Sequence, residues 1–175
     1  MLITKIDTPL GTMIAGSVEE GICMLEFNDR NTLDAELNSL KKYLKQEICE
    51  GENDHIKNLR IQIDEYFAGT RKVFDIPLVA PGTEFQKKVW NELLNIPYGS
   101  TISYQQQAEA LKNPLSVRAV ANANGMNRIS VIIPCHRVIG SNGSLTGYGG
   151  GLHRKKWLLD HEKNYSDKTF DNTLF

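Results

Sequence analysis

Residues 102–124 read ISYQQQAEALKNPLSVRAVANAN, and the fold turns on how they are read. Two stretches free of glycine and proline, 102–111 and 115–124, flank Lys112-Asn113-Pro114. Proline cannot continue a helix, so the spacing predicts two short helices around a tight turn, with Arg118 early in the second. This is the outline of a helix-turn-helix. By itself it does not separate a nucleic-acid reader from an ordinary helical hairpin.

Downstream, the apolar run Ile129 to Ile133 leads into Pro134-Cys135-His136-Arg137-Val138-Ile139, read as a strand. A glycine-rich loop to Leu152 and a helix from Lys155 to His161 follow. Upstream, Thr83 or a neighbour can cap a helix from Glu84 to Leu94. Ala80-Pro81-Gly82-Thr83 is the best boundary between domains. Before it, Ile3 to Ile6, Met13 to Ala15 and Gly21 to Phe27 read as strands separated by turn residues. Residues 33–48, with Leu33, Leu37, Leu40 and Leu44 on one face, and Ile56 to Phe67 read as helices; Lys72 to Val79 reads as a returning strand. The expected class is α/β, or α+β. The expected domains are 1–80 (small α/β), 81–165 (mainly helical) and 166–175, a tail that is a candidate for disorder.

No apolar run approaches the roughly 18 residues of a membrane helix, and no signal-peptide pattern opens the chain, so a cytoplasmic protein without a membrane partner is expected. Cys23, Cys49 and Cys135 are odd in number and show no C-x-x-C spacing, so neither a disulfide framework nor a metal site is predicted. The formal net charge of −1 hides an asymmetry. Residues 1–80 hold 9 Lys/Arg and 14 Asp/Glu, a net of −5, whereas residues 81–165 hold 10 and 5, a net of +5. The basic half favours an acidic partner.

Cys135 beside His136 is the sharpest chemical feature. A thiol attacks as thiolate, and an adjacent imidazole can take its proton, especially where a carboxylate orients the ring. The stretch Ile133-Pro134-Cys135-His136-Arg137-Val138 resembles the active-site signature of the O6-alkylguanine-DNA alkyltransferases, the methylated-DNA–protein-cysteine methyltransferase family. Phe85-Gln86, Val89-Trp90, Ile96-Pro97-Tyr98-Gly99, Ser103-Tyr104 and Arg118-Ala119-Val120 resemble that family's pattern in order. So do Leu145-Thr146-Gly147-Tyr148, Gly150-Gly151-Leu152 and Lys156 to Glu162, so that 82–163 is covered nearly continuously.

The resemblance implies a ribonuclease-H-like N-terminal domain and a helix-turn-helix that enters the minor groove of duplex DNA. It implies direct reversal of damage, with O6-alkylguanine flipped from the stack and its alkyl group moved irreversibly to Cys135. In that picture Cys135, a water, His136 and Glu162 form a relay. Arg118 fills the gap in the base stack, and the Tyr104 hydroxyl lies near the target phosphate and the base, as a proton source. Carbonyls of Cys135 and Val138 accept from the guanine amine, and the Tyr148-Gly149 loop donates to O6. Gly149 stands where some relatives carry serine, and Asn127 braces the turn before the active-site strand. No cofactor is implied. O6-methylguanine in double-stranded DNA is the expected substrate, with O4-alkylthymine secondary, and a monomer is expected in solution. Two alternatives stay open: a non-catalytic sensor of alkylated DNA or DNA-binding regulator, and a cysteine hydrolase.

Overall fold

The computed structural model of the chain describes residues 1–166. Its first element is an antiparallel meander of β1 (Leu2–Thr8), β2 (Gly11–Val18) and β3 (Gly21–Phe27). Gly11 and Gly21 close the two turns at φ +115° and +155°, where a side chain would be strained. The short β4 (Cys49–Glu50) adds parallel to β1, with Leu2 opposite Cys49, which gives the sheet order β3-β2-β1-β4.

Alternation along the strands sends side chains to both faces. Ile14, Val18 and Met24 meet Leu40 of α1 (Leu33–Leu44) on one face. Ile6, Met13, Ala15, Leu25 and Phe27 meet Ile56, Leu59, Ile63 and Tyr66 of α2 (Asp54–Phe67) on the other. The second core runs on without a break into Val89, Trp90 and Leu93 of α3 (Glu84–Leu93), and as far as Leu158. Helix α1 ends at its last spaced leucine, Leu44, four residues short of the expected 33–48 span. Lys45 turns left-handed at φ +52°, and the chain leaves the helix to donate from Cys49 N to Met1 O.

The outer edge of β3 is covered rather than left open. On that edge the expected strand at Lys72 to Val79 is not formed. The segment makes a single bridge, Leu78 opposite Ile22, with Ile22 N donating to Pro77 O and Val79 N to Ile22 O. Pro77 has no N–H to extend a ladder, and that limits the pairing to one residue. Further along the edge, Leu25 N donates to Arg128 O and Ser130 N to Leu25 O, both at 2.8 Å. This second contact docks the approach to Cys135 onto the sheet.

In the second half, Thr83 caps α3 in a capping box with Gln86, and Ser103 caps α4 (Tyr104–Ala110) in the same way with Gln106. A 3₁₀ turn at Pro114–Ser116 leads into α5 (Val117–Gly125), completing the helix-turn-helix. β5 (Ile102–Ser103) pairs with β6 (Val138–Ile139), and α6 (Leu152–Ser166) closes the structure. Ser166, placed in the tail by sequence, ends α6; the rest of the tail reading lies outside the described residues.

The strand expected around Cys135 is also replaced. Ile129 makes a single bridge to Leu25, residues 130–132 form a turn in which Val131 takes φ +72°, Cys135–Arg137 is a 3₁₀ turn, and only Val138–Ile139 is strand. The cause is Asn127, whose Oδ1 accepts from Ile129 N at 3.0 Å while its Nδ2 donates to Ile133 O at 2.8 Å. One side chain thus satisfies backbone groups that a strand partner would otherwise take.

Candidate active site

The 3₁₀ turn points the Cys135 side chain back at Asn127, whose Nδ2 donates to Sγ at 3.3 Å. Cys135 is 7% exposed. Burial pushes its thiol up to about 11, against the opposing pull of the Asn127 hydrogen bond. At neutral pH the sulfur is therefore protonated, and attack needs a base.

His136 follows on the same turn and is fully buried, which pulls its pKa down and keeps the ring neutral. Its Nε2 lies 2.7 Å from Glu162 Oε1. An ionised carboxylate there makes Nε2 the protonated nitrogen and Nδ1 the basic one. Nδ1 is buried and has no hydrogen-bond partner among the described residues.

Glu162, on α6, collects five hydrogen bonds: from His136, Arg137 Nε at 2.9 Å, Arg137 Nη2 at 3.0 Å, Tyr66 Oη at 2.9 Å and Gly99 N at 3.0 Å. Its burial raises the carboxyl pKa, but His136 and Arg137 outweigh that and hold it well below the usual carboxylate range. Arg137 Nη1 donates to Ile96 O at 2.6 Å, which fixes the guanidinium. Gly99 reaches the carboxylate from a turn at φ +74°, a conformation that favours glycine.

Tyr104, the first residue of α4, is 8% exposed, and its hydroxyl donates inward to Thr146 O at 3.0 Å. Lys155, fully buried on α6, donates from Nζ to Val138 O and Thr146 O, both at 2.6 Å, and lies 3.4 Å from Tyr104 Oη. One lone pair of the Val138 carbonyl is thereby occupied, and its second remains for a ligand. The Cys135 carbonyl accepts from Val138 N. Tyr148 is buried, and Gly149 beside it is exposed.

Arg118, the second residue of α5, is exposed and makes no hydrogen bond or ion pair among the described residues. The helix that carries it is held firmly. Asn124 Nδ2 donates to Gln107 Oε1 at 2.7 Å, Gln107 Nε2 lies 3.3 Å from Asn124 Oδ1, and Trp90 Nε1 donates to Ala123 O at 2.9 Å. The reciprocal amide pair is buried between α4 and α5. Arg118 is thus a free side chain on a rigid element.

The fold gathers Cys135, His136, Glu162, Asn127, Tyr104, Val138 and Tyr148 around one region and sets Arg118 apart on the surface. Arg137, Tyr66, Gly99 and Lys155 also enter the site, although sequence reasoning gave none of them a role. For Lys155 a signal existed: it shares a helical stripe with Leu158 and Glu162, all buried. No group of three or more His, Cys, Asp or Glu among the described residues is placed to hold a metal ion. Among the described residues no helix is long and apolar enough to cross a membrane.

Comparison with known proteins matches both halves. The family model described as 6-O-methylguanine DNA methyltransferase, ribonuclease-like domain, matches residues 1–80. The model described as 6-O-methylguanine DNA methyltransferase, DNA binding domain, matches residues 84–164. The methylated-DNA–protein-cysteine methyltransferase of Methanosarcina acetivorans is 40% identical over 162 residues, 93% of this chain and 98% of that protein. The constitutive methylated-DNA–protein-cysteine methyltransferase of Bacillus subtilis is 40% identical over 167 residues, 94% of this chain and 98% of that protein. The crystal structure of Mycobacterium tuberculosis OGT in complex with DNA superposes with a TM-score of 0.82 at 36% identity, covering 94% of each chain.

Proposed function

The chain belongs to the 6-O-methylguanine DNA methyltransferase family, and from that premise we infer that it repairs DNA by moving the alkyl group of O6-alkylguanine onto its own Cys135. The observation that carries the reading is the buried His136–Glu162 pair next to a protonated thiol. Base and nucleophile are adjacent, and the carboxylate fixes which ring nitrogen is basic.

In this reading His136 Nδ1 takes the Cys135 proton through a water, and the sulfur attacks the alkyl carbon. The S–C bond forms as the C–O6 bond breaks, and the bonding pair passes to the guanine. The negative charge on the base is met by the backbone N–H groups of the Tyr148-Gly149 loop and by a proton from Tyr104. Lys155 faces the tyrosine oxygen and supports that donation. The thioether has no leaving step, so each molecule acts once.

A buried thiol cannot reach O6 inside a duplex, so the nucleotide must leave the stack. Arg118, exposed and unpaired on a braced helix, fills the gap from the minor groove. Guanine then reads the carbonyls of Cys135 and Val138. O6-methylguanine in double-stranded DNA is the main substrate in this reading, with O4-alkylthymine secondary. The chain acts as a monomer in the cytoplasm, where its free thiols stay reduced.

Intact mass after mixing with a duplex bearing one O6-methylguanine tests the assignment. Replacement of one proton by one methyl at Cys135, absent in Cys135→Ala, supports it. An unchanged mass with tight binding identifies a sensor, and an unchanged mass without binding removes the DNA assignment.

A further inference from the structure

The pocket loop of this reading rests on the N-terminal half through a contact that its sequence does not announce. A Cβ built on Gly149 would stand 2.6 Å from Arg30 Cζ and 2.7 and 2.8 Å from its two Nη atoms. The guanidinium thus fills the side-chain space at residue 149. It is not a loose surface arginine that a larger neighbour could push aside. Its side chain is 10% exposed; Nη1 donates to Glu26 Oε2 at 2.5 Å and Nη2 to Gly125 O at 2.8 Å, with Glu36 Oε1 at 3.2 Å.

The anchor is itself fixed. Glu26 is fully buried on β3 and also accepts from Phe27 N and Ser130 Oγ, both at 2.9 Å. Gly125 O ends α5, where a cation is favoured by the helix dipole. Beside Arg30, a Cβ on Gly150 would meet the Phe27 ring at 2.8 Å, and Arg154 pairs with Asp29 through two contacts of 2.8 Å. The segment from Glu26 to Arg30 is therefore a seat for the glycine loop.

We propose that Arg30, supplied by the N-terminal half, is a specificity-determining residue of the alkylguanine pocket. Held by Glu26 and Gly125, its guanidinium restricts residue 149 to glycine and narrows the space beside O6 to small alkyl groups. The proposal rests on the transferase reading given above, because it takes the Tyr148-Gly149 loop as the wall facing O6. A serine at 149 must drive Arg30 off both anchors or shift the loop, and a misplacement near 1 Å costs a rate on the order of 100-fold.

The test compares wild type, Gly149→Ser, Arg30→Gln and the double variant, with thermal melts as a folding control. Intact mass gives the rate of methyl transfer from duplex O6-methylguanine and of benzyl transfer from free O6-benzylguanine. Gln keeps a donor for Glu26 while removing the guanidinium. Gly149→Ser should slow methyl transfer by about 10- to 100-fold, and Arg30→Gln in the same chain should restore most of that loss. Arg30→Gln alone should raise the benzyl-to-methyl ratio about tenfold. Additive losses in the double variant, or an unchanged ratio, overturn the proposal while an active wild type leaves the transferase reading intact. A wild type that transfers no methyl group overturns both. Should Arg30→Gln fail to fold, Gly149→Ala carries the test: its Cβ alone must slow methyl transfer about tenfold, and a wild-type rate refutes the interlock.

Discussion

Replacing Glu162 by Gln is the most severe isosteric change the site admits. The two oxygens accept five hydrogen bonds, three at Oε1 and two at Oε2, from His136, Arg137, Tyr66 and Gly99. An amide has one oxygen. Whichever way it is turned, its NH₂ faces at least two donors, and Arg137, 7% exposed, keeps its charge without a counterion. Breaking a buried ion pair by removing one partner costs about 3–5 kcal/mol. That is a large share of the ~5–15 kcal/mol that holds a domain folded. At a urea slope of about 2 kcal/mol/M the midpoint should fall by roughly 2 M. The same pair predicts a pH effect. The folded carboxyl titrates below its unfolded value near 4.3, so the unfolded chain binds more protons in acid. The stabilisation is complete above that value and is lost as pH falls through the lower, folded one. Wild type should therefore weaken steeply between about pH 5 and 2, and Glu162→Gln should be flatter. Urea titrations at pH 7 and 4 read both effects. A midpoint within about 0.5 M of wild type at pH 7 would refute the reasoning, because it would mean that Arg137 finds other acceptors.

Arg118→Ala should leave stability within about 0.5 kcal/mol, since the side chain is exposed and makes no hydrogen bond or ion pair among the described residues, yet slow methyl transfer from duplex DNA far more than benzyl transfer from the free base. Equal losses on both substrates would remove its role as a lever. Asn124→Ala strips Gln107 Oε1 of its donor between α4 and α5 and leaves Nε2 with Val89 O, and should cost about 1–3 kcal/mol in chemical denaturation, with DNA affinity falling alongside. Burial brings Lys155 down to about 8, and only its charged form has the three N–H donors that Tyr104 and the two carbonyls call for. The transfer rate should accordingly fall as pH rises through about 8, and Lys155→Met should lower the rate and abolish the inflection. A wild-type rate that climbs steadily with pH would show that only Cys135 ionisation matters.

The elements with local signals were legible. β3 spans the stretch from Gly21 to Phe27 read from its apolar run, and Thr83 caps α3 where its chemistry suggested. Errors arose where one residue's hydrogen-bonding inventory overrode the apolar pattern. Pro77 denies the 72–79 segment a ladder, and Asn127 diverts the run before Cys135 into turns. The site was legible only in part, because its central carboxylate is assembled from distance. Tyr66 and Gly99 reach Glu162 from 96 and 63 residues away, and no local spacing encodes such meetings. Arg30 against Gly149 belongs to the same class: it exists only once two halves of the chain are packed.

These features share one logic in a protein that spends its nucleophile once. A thiolate standing ready would react with any soluble electrophile that reached it. Burial instead lifts the Cys135 thiol to about 11, so the sulfur rests protonated at neutral pH. The same burial keeps His136 neutral and thus able to accept a proton, which a charged imidazole could not do. Glu162 has to remain ionised inside the same dry region, and a lone carboxylate there would be protonated. Arg137 resolves the conflict by supplying the compensating charge, while Tyr66 and Gly99 complete the coordination of the oxygens. A protonated thiol and a neutral ring able to accept a proton therefore follow from one buried arrangement, in which Arg137, next to His136 in the chain, carries the charge that keeps Glu162 ionised.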